Sequence, residues 1–497
     1  MAQPQVLPKE LRLTAAPTMP QARSYLFKQK STISEYNTSE SIQINIPRLQ
    51  RTYLTKDSYL KFNVELNLGT GGFGWKTDQP ALSVVLDRCG AYGLFERIEI
   101  YDYLGSTLLE SISGHGALMT LLLDTSHGFD EATTRDNATM GISAAVTAND
   151  SSVGIPYANT GHKKLISSFC GGAILPSPLP TQTQAGWTAA TTATREFAIP
   201  LASFLGLFSD KFVPLHNGFT IRLTLASFDQ AFGIHSVTTP TVDHGSIELK
   251  MNEVYYCAQA LELGPVAESM LLSSTAGQPM IVPSRTYRNF NGIIDQDASS
   301  ARLDLNPNVA SMTSLLWMMR DNSLYTNPSK SSYGDRIRNM LQSWNFQYGS
   351  SILPQTSGVQ AYGSRGNKSA GSGYTEAYIE LMKARRNWSG MKTYTGSNIS
   401  GESYSKDIAS ILDMSPHMLV DSSYVDEPGK FAAGLNLELV AGKDIICGLN
   451  TNGMNTSINM TFRDDLTTKA VQSRVDAWCE YDSFINITPG LATTVSF

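Results

Sequence analysis

The sequence predicts an all-β protein made of two tandem β-sandwiches, with short helices carried in loops. Two observations carry that reading. A run of strand-like segments occurs twice in the same order: Phe197-Ala-Ile-Pro-Leu, Phe208, Val213 to Phe219 and Ile221 to Leu225 in the first half, then Phe431-Ala-Ala-Gly-Leu, Ile445 to Thr451 and Ile458 to Phe462 in the second. Each run is followed by one more strand-like stretch, Ile247–Cys257 and Val475–Ile487. A repeated supersecondary unit fixes the architecture before any local motif does. The second observation is composition. Charged residues are only 16% of the chain, against a usual level of about 25%. A surface poor in charge suits faces that other copies cover.

The elements follow in order. Residues 1–40 are polar, aperiodic and broken by Pro4, Pro8, Pro17 and Pro20, and read as an extended N-terminal arm. The arm region up to Lys30 holds Lys9, Arg12, Arg23, Lys28 and Lys30 against Glu10 alone, a net of +4. That charge suits weak non-specific contact with DNA phosphates or a solvated, partner-bound tail, and the second reading is favoured. The first sandwich is expected over 41–262. In it, Ile42, Ile44 and Ile46 share one face, as do Leu60, Phe62, Val64, Leu66 and Leu68, the alternation of half-buried strands. A Gly-rich loop, Gly69–Gly74, closes the second of these strands. Leu94–Tyr103 is another strand, and Gly116–Asp124 has too few β-branched residues for a strand and reads as a helix. Residues 130–195 are weakly patterned, as a decorating loop would be.

A linker is expected over 263–284, with a short connecting helix between Pro265 and Gly277. The second sandwich, 285–497, contains strands at Ala301–Leu305, Leu315–Met319 and Asn339–Tyr348. It also holds a Gly/Ser-rich loop over 356–373 and an amphipathic helix over Tyr374–Arg386, with Ala377, Tyr378, Leu381 and Met382 at helical spacing. Equivalent pairs such as Phe219 with Ile458 and Tyr255 with Tyr481 differ in their offsets, as loop insertions would make them do.

Chemistry has little to stand on. Gly69-Thr-Gly-Gly-Phe-Gly74 matches a dinucleotide fingerprint but runs into Trp75–Pro80, not into a helix that could hold a pyrophosphate. The seven histidines show no chelating spacing, and His235 and His244 flank a turn-rich, solvated stretch. Five scattered cysteines contain no Cys-x-x-Cys and suggest free thiols in a reducing compartment. Cys447 has no local partner for nucleophilic work, and Asp464-Asp465 reads as a turn. Trp344, Phe346 and Tyr348, at period two, read as a core face rather than a base-stacking platform, because no Lys or Arg is interleaved. No catalytic, cofactor-binding or metal-ligating residue is expected, and no cofactor. Neither a secretory signal nor a membrane span is visible, and the net charge of −6 argues against nucleic-acid attraction by the chain as a whole.

Three pieces resemble the first half of double jelly-roll major capsid proteins, in particular those of polinton-like viruses and virophages. They are Leu54–Val64, Gly90-Ala-Tyr-Gly-Leu-Phe-Glu-Arg-Ile-Glu-Ile-Tyr101 and the pair Leu109-Glu110. Phe197–Leu201, Phe208, Val213–Leu215 and Ile221–Leu225 resemble the late strands of the same jelly roll, while the second half is similar in architecture only. The resemblance implies two tandem jelly rolls side by side, with their strands roughly perpendicular to a shell. It implies a homotrimer of pseudo-hexameric outline that packs against neighbouring capsomers, and against penton or minor capsid proteins, in an icosahedral virion around double-stranded DNA. The loops at 125–195 and 349–373 would decorate the outer surface, and the 1–40 arm would run beneath neighbouring capsomers. The insert within 125–195 has no counterpart in that family. Other readings are a spike, fibre or minor capsid protein, or a glycoside hydrolase on a β-sandwich.

Overall fold

The computed structural model describes residues 22–497 apart from 69–71, 74–80, 128–138, 140–191, 237–246, 326–332, 363–373, 387–396, 400–403, 406–428, 440–446, 464–470 and a few isolated positions. Sixteen strands form two sandwiches of eight. The first holds β1 (Ala22–Lys30), β2 (Ser41–Ile46), β3 (Thr52–Leu68), β4 (Phe95–Asp102), β5 (Leu108–Ser113), β6 (Thr192–Pro200), β7 (Phe219–Leu225) and β8 (Ile247–Leu263). The second holds β9 (Met280–Ile294), β10 (Ser300–Leu305), β11 (Met312–Asp321), β12 (Leu341–Tyr348), β13 (Ser351–Leu353), β14 (Ala433–Asn436), β15 (Thr456–Phe462) and β16 (Ser473–Ile487).

The strand orders make the duplication explicit. The first sandwich pairs a β1-β8-β3-β6 sheet with a β2-β7-β4-β5 sheet; the second pairs β9-β16-β11-β14 with β10-β15-β12-β13. Adding eight to each strand number of the first gives the second. In each half the order 1-8-3-6 over 2-7-4-5 is that of a jelly roll, so the fold is two tandem jelly rolls. Register places Ile221 opposite Ile44 and Ile100, and Ile458 opposite Leu303 and Phe346. The equivalent of Ile458 is therefore Ile221 and not Phe219. The shift is two residues, which leaves the same face inward.

The cores repeat as well. Phe62 on β3 meets Phe95 on β4 edge-to-face at 5.3 Å, and Trp317 on β11 meets Trp344 on β12 at 5.4 Å. Each pair ties one sheet of its sandwich to the other. Trp344 and Phe346 are fully buried, as a core face requires, and neither is available to a base. Helix α1 (His115–Ser126) follows β5, and α3 (Thr375–Ala384) follows β13, so the two helices occupy equivalent connections. Helix α2 (Pro265–Ser274) begins two residues after β8, with Pro265 at its first turn, where a missing N–H costs nothing.

Several expectations change. Within the segment read as an extended N-terminal arm over 1–40, the chain from Ala22 on is strand β1, paired along its whole length with β8 from Ala22↔Leu263 to Lys30↔Tyr255. Glu35–Asn37 adds a second short pairing to β8. Strand β1 is an edge strand with only Phe27 buried, so it carries no alternating signal. The strand starting the second jelly roll begins at Met280, inside the stretch read as linker. Within the Gly-rich run, Gly72–Phe73 forms a short strand parallel to Ala81–Leu82, in a small third sheet completed by Phe232–Ser236. His235, read as flanking a turn-rich loop, lies on that last strand.

Both jelly rolls point the same way. One end, here the near end, holds the start of β1 and β3, the end of β8, and the turns joining β4 to β5 and β6 to β7. The far end holds the end of β3, the starts of β4, β6 and β8, and the end of β7. Contacts between the two sandwiches join near end to near end, through Asn217 and Thr488, and far end to far end, through Asp124 and Arg336.

Candidate functional site: the seam between the two sandwiches

No group of three or more His, Cys, Asp or Glu side chains able to hold a metal occurs among the described residues. What the fold builds instead is a long polar seam. At the near end, Asn217 lies in the turn before β7 and is buried. Its Nδ2 donates to Thr488 O, Leu491 O and Thr493 Oγ1 at 3.0–3.1 Å, and its Oδ1 accepts from Gly490 N at 3.3 Å. A turn of the first jelly roll is thereby clamped to the segment after β16. Beside it, His216 Nε2 lies 2.6 Å from Glu268 Oε1, the one buried side chain of α2.

Further along, Ser284 Oγ and Arg285 N on β9 donate to Phe208 O at 3.2 and 3.4 Å, and the Phe208 and Tyr287 rings meet edge-to-face. Glu110 on β5 is buried here. It accepts from Ser203 Oγ at 2.5 Å and Phe204 N at 3.0 Å, fixing the bend after β6. Burial pushes its carboxyl up, against the pull of Ser203, Phe204 and, from across the seam, Thr286. This explains the Leu109-Glu110 pair structurally: Leu109 fills the core and Glu110 holds a turn at the domain boundary.

Mid-seam, Trp478 Nε1 on β16 donates to Ser113 O at 3.3 Å. Gly114 adopts φ +61, a backbone angle that favours glycine, and lies in ordinary contact distance of Asn289 and Trp478 across the seam. Toward the far end, Arg336 Nη2 donates to Asp124 Oδ2 of α1, and both side chains are almost wholly excluded from water. Arg385 Nε donates to Thr125 Oγ1, Ser397 Oγ to Asp124 O, and Tyr333 OH to Glu96 Oε2. The Asp124 and Arg336 charges are thus satisfied by each other across the boundary rather than by solvent.

A second cluster lies on the seam side of β9 and β16. Glu480 accepts from Arg386 Nη2 at 3.0 Å, Tyr287 OH at 2.9 Å, Thr313 Oγ1 at 2.9 Å and Ser314 Oγ at 3.0 Å. Arg285 bridges Glu438 and Asp482, and Arg386 also reaches Glu438. Burial alone would raise the Glu480 carboxyl. Arg386, then Arg385 and Arg285, outweigh it and hold the group at about 2. His115, at the first position of α1, is fully buried, and desolvation pushes its ring down to about 4.

A polar cavity of about 230 Å³ opens on the seam between Glu96, Asn289, Arg320, Arg474 and Asp476. Arg320 and Arg474 are both committed to Asp476, at 2.6 and 3.3 Å.

Of the histidines weighed in the sequence, His115 opens α1 and His127 directly follows its end, while His216 lies in the turn before β7 and His235 on the Phe232–Ser236 strand. His162, His244 and His417 lie outside the described residues, as does Asp464-Asp465. Cys89, Cys257 and Cys479 are buried and Cys447 is half-buried, and none of these four is in a disulfide. No described helix is long and apolar enough to cross a membrane. Sequence reasoning missed the seam because its members are single residues scattered over turns, helix ends and strands, with no periodicity to mark them.

No protein-family model matches the chain, and no curated protein sequence matches it. Solved structures do match over nearly its full length. The Faustovirus major capsid protein aligns at 10% identity over 97% of this chain and 93% of its own, with a TM-score of 0.55. A chain of the Sputnik virophage cryo-EM structure aligns at 12% identity over 100% of this chain and 93% of its own, with a TM-score of 0.54. The mavirus major capsid protein aligns at 9% identity over 100% and 96%, with a TM-score of 0.52. The likeness is one of fold and spans both jelly rolls.

Two predictions follow from the seam. Asp124→Ala leaves Arg336 without its carboxylate in a dry site and should cost about 3–5 kcal/mol in urea unfolding, whereas the double exchange Asp124→Leu with Arg336→Met should recover most of that loss. A single-variant cost below the error of the measurement would show that the pair does not hold the seam.

The second prediction concerns pH. His115 stays neutral in the fold, so the unfolded chain takes up a proton first. The native chain should lose stability relative to His115→Asn as pH falls from 6.5 toward 4. Relative to Glu480→Gln it should lose stability only as pH falls from 4.5 toward 2. Unfolding midpoints of the three chains across that range check both windows.

Proposed function

We propose that this chain is a major capsid protein: it trimerises into pseudo-hexameric capsomers that tile an icosahedral virion shell around double-stranded DNA. The observation that carries the reading is the repeat of one jelly roll, strand for strand, in two units held side by side with the same orientation. Three such chains around one axis present six similar units, so a threefold assembly can fill a sixfold position in a lattice. A polar, interlocked seam keeps the two units at a fixed angle, which such tiling needs. The full-length likeness to capsid chains supports the same reading.

The low charge of the chain lowers the desolvation cost of wide lateral contacts between capsomers. Penton and minor capsid proteins would be its other partners. The basic stretch before and within β1 would supply any weak contact with DNA. The far-end connections, which hold the long inserts, would face outward. The chain's role in this reading is structural, with no reaction assigned.

Sedimentation tests the proposal. The purified chain should run at three times its 54.2 kDa mass and stay there on dilution into the nanomolar range. A monomer at high concentration, with no shell formed in the presence of its vertex proteins, would remove the capsid reading.

A further inference from the structure

The polar cavity on the seam is walled by both jelly rolls. The first supplies β4 and the turn into α1; the second supplies β9, the end of β11 and the start of β16. Its charges do not balance, because Arg97, Arg320 and Arg474 face only Glu96 and Asp476. Asp476 is fully engaged. Its Oδ2 accepts from Arg320 Nη2 and Nε at 2.6 and 3.2 Å, and its Oδ1 from Arg474 Nε at 3.3 Å. Arg474 uses Nε alone there. Its guanidinium lies 4.5 Å over the Tyr325 ring, and its Nη1 and Nη2 meet no acceptor among the described residues.

The remaining groups also offer donors. The exposed Asn291 amide has no partner among the described residues. Glu96 Oε2 accepts from Tyr333 OH at 3.4 Å. Burial pushes the Glu96 carboxyl up, against the pull of Arg320 and Arg474. A protonated Glu96 is itself a donor and no longer opposes an anion. Helix α1 starts at the same wall with no side chain capping it, which adds the positive end of a helix to the guanidinium groups. The cavity thus gathers donors from two units and lacks an acceptor to share among them.

We propose that this cavity binds a small tetrahedral oxyanion, with phosphate as the type, held by Arg474, Arg97 and Asn291 between the two jelly rolls. A water claims about 30 Å³ of liquid, so a cavity of about 230 Å³ admits such an ion together with a few waters. The planar guanidinium fork matches phosphate oxygens with paired N–H donors. The bound ion touches both units and acts as a further lock beside Gly114, one whose strength follows the phosphate concentration. The site lies within one chain and does not depend on trimer formation.

Calorimetric titration of the full chain with inorganic phosphate, at constant ionic strength set with chloride, tests this. Saturable binding is expected, and sulfate should compete. Arg474→Gln should weaken it about tenfold or more. Asn291→Asp, at an exposed position with no contact to lose, should also weaken it, which keeps the test alive if Arg474→Gln folds poorly. Glu96→Gln removes a repelling charge and should tighten binding about tenfold. Arg302→Gln removes an exposed cation that does not line the cavity and should leave the affinity unchanged. Glycerol 3-phosphate separates two sources of the anion: equal affinity means that a free phosphate suffices, and tighter binding means that the phosphate is carried by a larger molecule. Absence of saturable binding would overturn the proposal. So would an affinity that Arg302→Gln lowers as much as Arg474→Gln and Asn291→Asp do, since the anion would then respond to net charge alone.

Discussion

Asp124 and Arg336 belong to different jelly rolls, and each is buried where water cannot serve it. Separating the two units would strand both charges, and a stranded buried charge is far more costly than the pair itself is stabilising. Such a contact adds little net stability, but it strongly disfavours any other relative placement of the sandwiches. The Asn217 clamp at the opposite end does the same with neutral groups, using every hydrogen-bonding atom of one amide against the segment after β16. Two polar locks at opposite ends of a seam fix a rotation as well as a distance. The parallel setting of the jelly rolls, and everything inferred about lattice geometry, depends on that.

The division of labour between apolar and polar residues is clear. Each sandwich is held by its own core, with Phe62–Phe95 in one and Trp317–Trp344 in the other. The boundary between them is specified by carboxylates, guanidinium groups and amides. Glu480 shows why such a boundary tolerates burial: four donors, three from the two neighbouring strands β9 and β11 and one from Arg386 just past α3, hold one carboxylate, so its charge remains solvated by protein.

The sequence made the sandwiches legible wherever a strand has one dry face. Ile42, Ile44 and Ile46 are fully buried, and so are Leu60, Phe62, Val64 and Leu66, so alternation named both strands. It failed at β1, where an edge strand buries Phe27 alone and reads like the polar arm before it. Helices α1 and α3 stood out because their residues break the strand pattern. The seam was not legible. Asn217, Asp124, Arg336 and Glu480 are far apart in sequence, and their meaning comes only from the partner that the fold delivers. Glu110 is the partial exception: it stood in a recognisable Leu-Glu pair, but nothing in the pair reveals a buried carboxyl that fixes a bend beside the second sandwich.

The central claim is that one chain supplies two equivalent units in a fixed side-by-side setting, so that three chains imitate a hexamer. Single-particle electron microscopy of the purified chain tests it most directly. The account predicts threefold particles with six lobes of nearly equal size in projection down the axis. Particles with two lobes at variable angles, or threefold particles in which the two jelly rolls of each chain are stacked along the axis, would contradict it.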